Sequence, residues 1–157
     1  MVETTLSGAS HHILTNDYAS EWMGIEVLKL DDGHATIRMH LRQEMLNGFG
    51  MAHGGMIFAF GDTAFALACN PANPTPEEAA SITVASGVDI NFIKPAFQGQ
   101  VITAVANRRA STGRSGLYDI QIFAAAADAA APGAPSDSQP GELIAEFRGR
   151  SRTISKK

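Results

Sequence analysis

Cysteine is nearly absent from this chain of 157 residues, which contains Cys69 alone. No disulfide can therefore form within the chain, and a single thiol suits a reducing compartment. Basic residues are also few: 12 lysines and arginines stand against 16 acidic residues, for a formal net charge of −4. A general nucleic-acid binder carries a basic surface, so the composition argues against that class and we expect no nucleic-acid partner.

A long hydrophobic run is missing as well. The longest apolar stretch, residues 56–69, is interrupted by Gly61, Asp62 and Thr63 and is too short to cross a bilayer. The first residues have neither the basic nor the apolar region of a secretory signal. We therefore expect a cytoplasmic protein with no membrane partner.

Several catalytic signatures are absent from the sequence. It has no Gly-x-Ser-x-Gly elbow, which argues against a serine hydrolase of the common α/β type. It has no Gly-x-x-x-x-Gly-Lys phosphate loop and no ligand spacing typical of zinc, so we expect no bound metal. Cys69 falls at a predicted helix end where the dipole disfavours a thiolate, and we expect it to pack as a small apolar side chain.

Length and periodicity predict one α+β domain over residues 1–157. A helix over residues 56–70 is apolar on every side, so we expect it to be buried beneath an antiparallel sheet that wraps around it. Residues 1–18 are expected to form a flexible tail or a short helix, in which His11 and His12 have no role. Residues 126–141, rich in Ala, Pro, Ser and Gly, are expected to form a mobile loop. Alternating apolar residues predict strands at 22–30, 34–41, 81–93, 100–109, 116–125 and 143–154.

Two of these strands predict which side chains face the core. In residues 34–41 the inward residues are expected to be Ala35, Ile37, Met39 and Leu41. In residues 81–93 we expect one apolar face, formed by Ile82, Val84, Val88, Ile90 and Phe92.

Asp62 is the most informative residue, because it lies in the middle of the apolar helix. A carboxylate is expensive to bury unless it is paired. It is either a structural group, hydrogen-bonded to backbone or to an arginine, or a general base or nucleophile that faces a cleft.

His53, Gly54 and Gly55 precede the helix. Free amides at a helix N-terminus favour developing negative charge, and glycine lets a ligand approach the backbone. The alternative is a simple loop that needs glycine for its conformation. Gly55 and Asp62 are seven residues apart, which is roughly 10 Å along a helix. If both groups act on one carbonyl, Asp62 must come from a second, antiparallel copy of the helix, so the functional interpretation predicts a site shared between two subunits.

The ordered motifs of residues 20–154 resemble one family. Asn47-Gly48, His53-Gly54-Gly55-x-Ile57-Phe58 and Asp62-Thr63-Ala64-Phe65-Ala66 are similar to the hotdog-fold acyl-CoA thioesterases of the phenylacetic-acid-degradation (PaaI) type. The later segments that begin at Asp89, Gly113 and Phe147 are similar too. The loop at 126–141 is longer than the family pattern.

This resemblance implies a hotdog fold and hydrolysis of an acyl-CoA thioester, with an aromatic, phenylacetyl-type acyl group as the expected substrate. Asp62 would be the nucleophile or the general base for water, and the amides of Gly54 and Gly55 would polarise the carbonyl. Asn47 and His53 would position the thioester and the loop. The family forms dimers with shared active sites, usually paired into tetramers. No metal or organic cofactor is expected, since coenzyme A enters with the substrate.

The remaining expectations concern substrate binding. For coenzyme A we expect contacts from Lys94, Arg114, Ser115 and Asn91, although arginines on strands more often form solvated faces or ion pairs. A hydroxyl that places the water is expected from Thr83 or Ser86. Two other functions stay open: a non-catalytic acyl-CoA-binding module, and a hotdog enoyl or hydroxyacyl dehydratase that would use His53 with a carboxylate.

Overall fold

A computed structural model describes residues 7–127 and 141–156. Within these two ranges the fold has two helices and seven strands, with short 3-10 turns at His12–Leu14, Gln43–Met45 and Glu78–Ala80. The helices are α1 (Tyr18–Met23) and α2 (Gly54–Cys69). The strands are β1 (Ser7–Gly8), β2 (Glu26–Asp31), β3 (His34–His40), β4 (Ser81–Phe92), β5 (Gln100–Thr112), β6 (Ser115–Ala126) and β7 (Glu142–Ser155).

All strands belong to one sheet, in the order β1-β2-β3-β5-β6-β7-β4. The six long strands pair antiparallel, and only the two-residue β1 pairs parallel, with β2. The predicted α+β architecture, an antiparallel sheet around one main helix, is confirmed. The strand β4 forms one edge of the sheet, and this long open edge lies beside α2.

The core lies between α2 and the concave face of the sheet. Phe65 of α2 packs against Tyr118, with ring centroids 5.4 Å apart, and against Phe147 at 6.1 Å. Gly149 of β7 lies directly under the Phe65 ring, where a Cβ would clash with it. The inward face predicted for β3 is confirmed, since Ala35, Ile37, Met39 and Leu41 are buried.

The strand predicted at residues 22–30 is wrong over its first residues, because Trp22 belongs to helix α1. Asp17 caps this helix by accepting a hydrogen bond from the amide of Ser20 at 3.0 Å. Gly24 ends it in a left-handed conformation with φ 71°, which glycine adopts without strain. The apolar residues around Trp22 are compatible with the period of a helix as well as with that of a strand. The caps at Asp17 and Gly24 favour the helix.

The single apolar face predicted for residues 81–93 is also wrong. A bulge between Ala85 and Gly87 shifts the pairing of β4 with β7 by one residue. One extra residue in a strand reverses which side chains face the core. Val88 and Ile90 therefore pack against the core, whereas Ile82 and Val84 of the same parity are exposed.

Of the two forms expected for residues 1–18, the flexible tail is wrong where the structure describes it, from residue 7 onward, and the short helix is present as a 3-10 turn at His12–Leu14. Gly8 pairs with Val27, and Leu14 is buried. His11 is buried and donates from Nε2 to the carbonyl oxygen of Asn70 at 2.9 Å, while its Nδ1 accepts from the amide of Ile13 at 3.3 Å. His11 thus ties the N-terminal segment to the end of α2. The loop predicted at 126–141 lies, for residues 128–140, outside the described residues.

These contacts make the stability of the fold depend on pH. Burial lowers the pKa of His11, and the hydrogen bond with Asn70 opposes this shift only in part. The unfolded chain therefore binds a proton more readily than the folded chain, and stability is lost as pH falls. We expect the free energy of unfolding to decrease as pH drops below about 6.5, in urea melts at a series of pH values. The variant His11→Gln should reduce that slope, while His12→Gln, which removes only a smaller repulsion from the exposed neighbour, should reduce it much less. Equal slopes in all three proteins would contradict the assignment.

Candidate active site

Helix α2 exposes one stripe of its surface. The stripe consists of Gly55, Phe58 and Asp62, at the spacing of three to four residues that places side chains on one helix face. The prediction that α2 is buried on every side, Asp62 included, is therefore wrong for this chain. The sheet covers only the opposite face of the helix, where Ile57, Phe60, Ala64 and Phe65 are buried. Apolar Phe58 and charged Asp62 are left together on an open surface.

Asp62 lies in a partly desolvated position on this stripe. Partial burial of its carboxylate raises the pKa of Asp62, and the negative charge of Asp17 raises it further. A carboxylate with a raised pKa is a stronger base than an ordinary surface aspartate. Asp62 makes no ion pair or side-chain hydrogen bond within the described part of the chain, so the structural interpretation of this carboxylate finds no partner for it.

The N-terminus of α2 presents one free amide. His53 is the N-cap, and its Nδ1 accepts a hydrogen bond from the amide of Gly55 at 2.9 Å. The amides of Met56 and Ile57 both donate to the carbonyl of His53. The amide of Gly54 has no acceptor among residues 7–127 and 141–156, so it is the donor available to a ligand. The predicted pair of glycine amides is thereby reduced to Gly54, because the cap occupies Gly55.

This cap also fixes the state of His53. Since Nδ1 accepts from an amide, the ring is held with its remaining proton on Nε2. A dehydratase base paired with a carboxylate would need a different arrangement, and His53 has no carboxylate partner in the described structure. The geometry favours a role in anchoring the loop.

Asn47 shapes the loop before the helix. Its Oδ1 accepts from the amides of Phe49 at 2.9 Å and Met51 at 3.1 Å, and its own amide donates to the carbonyl of Met51 at 2.7 Å. Gly50 completes the turn with φ 76°. Because both lone pairs of Oδ1 are used by the loop, only the Nδ2 group of Asn47 is left for a ligand.

A cavity of about 300 Å³ brings several predicted residues together. Asn47, Gly54 and Lys94 all border it. Apolar side chains form the rest of the wall, among them Met51, Ile57, Phe92 and Ile93. Phe92 stands directly over Gly54, since a Cβ placed there would meet the ring at 3.2 Å. The structure therefore joins a free amide, a cation and an aromatic wall at one end of α2.

The other predicted substrate-binding residues lie elsewhere in the chain. Asn91 faces away from α2, because the neighbouring Ile90 packs against the core and alternate residues of a strand point to opposite faces. Arg114 and Ser115 lie at the β5–β6 hairpin. Ser115 pairs with Arg152 of β7, and Arg152 pairs in turn with Val84 of β4, so the hairpin lies beside the Val84 end of β4. Val84 is eight residues from Phe92, roughly 26 Å along a strand. Of the four residues predicted to contact coenzyme A, Lys94 is the one that borders the Gly54 cavity of its own chain.

The two candidate hydroxyls differ in position. Thr83 is held at the C-terminal end of α2 by two hydrogen bonds with Asn70, at 3.0 Å each, and its Oγ1 bonds that of Thr153 at 2.8 Å. Asp62 is eight residues before Asn70, about 12 Å along the helix axis. Ser86 is three residues after Thr83, roughly 10 Å along the antiparallel strand. Ser86 is therefore the hydroxyl level with Asp62, at the bulge of β4, where it donates to the carbonyl of Arg150 at 3.1 Å.

Sequence reasoning missed two aromatic residues of this region. Phe92 covers Gly54, and the exposed Phe58 lies between Gly54 and Asp62 along α2. The spacing of Gly55, Phe58 and Asp62 predicts that they share one face of the helix. The sequence of an apolar helix does not indicate, however, which of its faces is open. Cys69 behaves as expected from the sequence, since burial raises the pKa of its thiol to about 12.

Comparison with known proteins settles the family. The profile of the thioesterase superfamily matches residues 49–129, slightly more than half of the chain. The chain belongs to the thioesterase superfamily. The match begins in the Asn47 loop and includes the whole of α2, so the free amide and Asp62 both lie in the segment that defines this family. The prediction of a thioester hydrolase is thus confirmed.

Individual members of the thioesterase superfamily agree over almost the whole chain. Acyl-coenzyme A thioesterase PaaI of Escherichia coli is 34% identical over 145 residues, which cover 92% of this chain and 89% of that protein. The structure of the E. coli PaaI protein matches with a TM-score of 0.75 over 93% of this chain and 91% of that chain, at 33% identity. A variant of the phenylacetic acid degradation protein PaaI from Thermus thermophilus matches with a TM-score of 0.69, 27% identity, and coverage of 87% and 98%. The hotdog fold is confirmed. No helix in the described ranges is long and apolar enough to span a membrane.

Proposed function

We propose that this thioesterase hydrolyses acyl-CoA thioesters with an aromatic, phenylacetyl-type acyl group, and does so at sites shared between two copies of the chain. The observation that carries the proposal is helix α2, which has a free amide at Gly54 and, about two turns later on its exposed stripe, the Asp62 carboxylate, which is unpaired among the described residues. The E. coli relative is named an acyl-coenzyme A thioesterase, which supports the same substrate class.

The distance along α2 requires a second copy. Gly54 and Asp62 are eight residues apart, about 12 Å along the axis, which is too far for both to touch one carbonyl. An antiparallel copy related by a two-fold axis at Phe58 brings Asp62 of one chain opposite Gly54 of the other. Phe58 lies midway between them and is 38% exposed, so the copy would bury an apolar ring that this chain leaves open.

The open edge of β4 fits the same two-fold arrangement. Its unpaired backbone groups can extend the sheet by pairing with β4 of the copy. Because a two-fold axis pairs the two β4 strands antiparallel, the Phe92 end of one strand then meets the Val84 end of the other. Arg114 lies on the β5–β6 hairpin, beside the Val84 end of β4, and would therefore approach Lys94 of the copy. The two predicted cations, separated within one chain, would together face the phosphates of one coenzyme A.

Each group then has a chemical role. The amide of Gly54 donates to the thioester carbonyl, and the helix dipole behind it favours the developing oxyanion. Asp62 of the other chain either attacks the carbonyl carbon or takes a proton from the attacking water. Water adds its hydroxyl to the acyl carbon, and the sulfur of coenzyme A leaves as the thiol, so the reaction consumes one water and needs no cofactor. Phe58, Phe92 and Met51 supply an apolar wall suited to an aromatic acyl group.

Release of free thiol tests this function. We expect turnover of arylacetyl-CoA thioesters, with kcat/KM about tenfold or more above that for straight-chain acyl-CoAs of similar size. The N-acetylcysteamine thioester of the same acid lacks the nucleotide and should be a poorer substrate, because it cannot reach the cations. Binding of several acyl-CoAs without hydrolysis of any would replace this proposal with the non-catalytic binding module.

A further inference from the structure

A chain of three hydrogen bonds fastens α1 to α2 beside Asp62. Asp17 accepts from the amide of Ser20 through Oδ1 at 3.0 Å and from the hydroxyl of Ser20 through Oδ2 at 2.7 Å. The Ser20 hydroxyl also bonds Thr63 Oγ1 at 2.9 Å. Thr63 follows Asp62 directly in α2, so the end of this chain is one residue from the proposed reacting carboxylate.

The direction of these bonds is fixed by chemistry. A carboxylate only accepts, so the Ser20 hydroxyl donates its one proton to Asp17. The Thr63 hydroxyl must then be the donor to Ser20. Ser20 is completely buried, and a buried hydroxyl that loses its partners is costly. The order Thr63 to Ser20 to Asp17 therefore holds α1 in one position against α2.

Asp17 brings a charge as well as a bond. It forms no ion pair within residues 7–127 and 141–156, so its negative charge acts on Asp62 without compensation from a partner. The other titratable neighbours are Glu21 on α1, which is half-buried, and Cys69 on α2, whose thiol stays protonated. Among the described residues, Asp17 is the charged group that raises the pKa of the Asp62 carboxylate.

We propose that Asp17 is a positioning residue of the hydrolytic site: through Ser20 and Thr63 it holds α1 against α2 and places a second, unreactive carboxylate beside Asp62. This inference rests on the proposed function, because it assigns Asp17 a part in the reaction of Asp62. Its electrostatic effect has the direction that favours catalysis by a base. The charge of Asp17 raises the pKa of Asp62, and so the charge makes the carboxylate more basic.

The pH dependence of kcat/KM tests the charge. Asp17→Asn removes the negative charge but keeps an N-cap acceptor for the amide of Ser20, so α1 is retained. The acid limb of the profile, which reports ionisation of Asp62, should move to lower pH in this variant. Glu21→Gln removes one negative charge from the same helix, four residues further on, and should leave the limb in place. Coincident limbs in all three proteins, or equal shifts in both variants, would overturn the proposal.

The hydrogen-bond chain is tested separately at Thr63. Thr63→Val removes the donor without changing any charge, and kcat/KM should fall by about 3- to 10-fold with the acid limb unmoved. Thr63→Ser keeps the hydroxyl and should restore the wild-type value. A valine variant as active as wild type would show that the bond to Ser20 does not position the site.

A readout without turnover separates this inference from the proposed function. Titration of the Asp62 carboxyl carbon by 13C NMR measures its ionisation directly in the free protein. The titration midpoint should be lower in Asp17→Asn than in wild type, even if no thioester is hydrolysed. Absence of turnover with this shift present would contradict the proposed function alone, whereas an unchanged midpoint would contradict the role of Asp17 alone.

Discussion

Asp62→Asn is expected to lower kcat/KM for thioester hydrolysis by about 100-fold or more. The change keeps the size and shape of the side chain but removes both the basic lone pair and the nucleophilic oxygen. It should leave folding intact, because Asp62 is exposed and has no ion pair or side-chain hydrogen bond in the described structure. Thiol release measures the loss, and the melting temperature and oligomeric state measured beside it confirm that the variant is native.

Asp31→Asn is the matched control for this variant. Asp31 is another exposed aspartate, at the end of β2, whose contact with Lys29 is a long surface ion pair of 3.8 Å. Such pairs contribute little, so this substitution should alter neither turnover nor stability. Full activity in Asp62→Asn would make Asp62 structural and would remove the chemistry proposed for α2.

The two possible roles of Asp62, nucleophile and general base, differ in the path by which the oxygen of water reaches the product. If Asp62 is the nucleophile, it displaces the coenzyme A thiol and forms a mixed anhydride, and water that attacks the Asp62 carbon of this anhydride in H2-18O leaves the label in the Asp62 carboxylate after a single turnover. If Asp62 activates water, the label enters the free acid in the first turnover. The distances along α2 are the same for both, so the isotope makes the distinction.

The architecture was largely predictable because it follows from local patterns. The alternation in β3 determines which of its faces packs inward, and the apolar run of α2 identifies the helix that the sheet covers, so both elements were predicted correctly in type. Two features were not. A bulge at Ser86 reverses which side chains of β4 face the core, and no residue type at this position predicts the bulge. The helix α1 depends on its caps, Asp17 and Gly24, at either end of an ambiguous apolar segment.

The sequence predicts candidate residues for the site but not their arrangement in the structure. Asp62 and Gly54 were identifiable from charge in an apolar helix and from glycine at a helix start. The loss of Gly55 as a donor was not, because it depends on the ring of His53 turning back to accept that amide. The exposure of Asp62 was missed for a related reason: an all-apolar helix gives no sign of which face the sheet leaves open, and that face is the one expected to meet a second copy.

Gly54→Pro is expected to reduce kcat/KM by about 100- to 1000-fold, the usual cost of one lost oxyanion donor. Proline deletes the N–H that has no acceptor within the described chain, and it is well tolerated at the first position of a helix. The preceding residue must then be extended, and His53 already is, with φ −63° and ψ 132°. Gly54→Ala is the matched control, because it adds the same Cβ beside Phe92 but keeps the amide, and it should retain most of the activity.

Combining Gly54→Pro with Asp62→Asn in one mixed dimer tests whether the site is shared. Each variant alone is expected to be nearly inactive. If Gly54 of one chain acts with Asp62 of the other, a mixed dimer has one site built from two wild-type halves and one built from two altered halves. Its activity should then be about half that of the wild-type dimer, as two-fold symmetry requires. Dimers with one chain of each kind can be isolated through two different affinity tags and assayed by thiol release. A site formed within a single chain would leave both halves defective and the mixed dimer inactive, which would rule out the antiparallel pairing of α2 about Phe58.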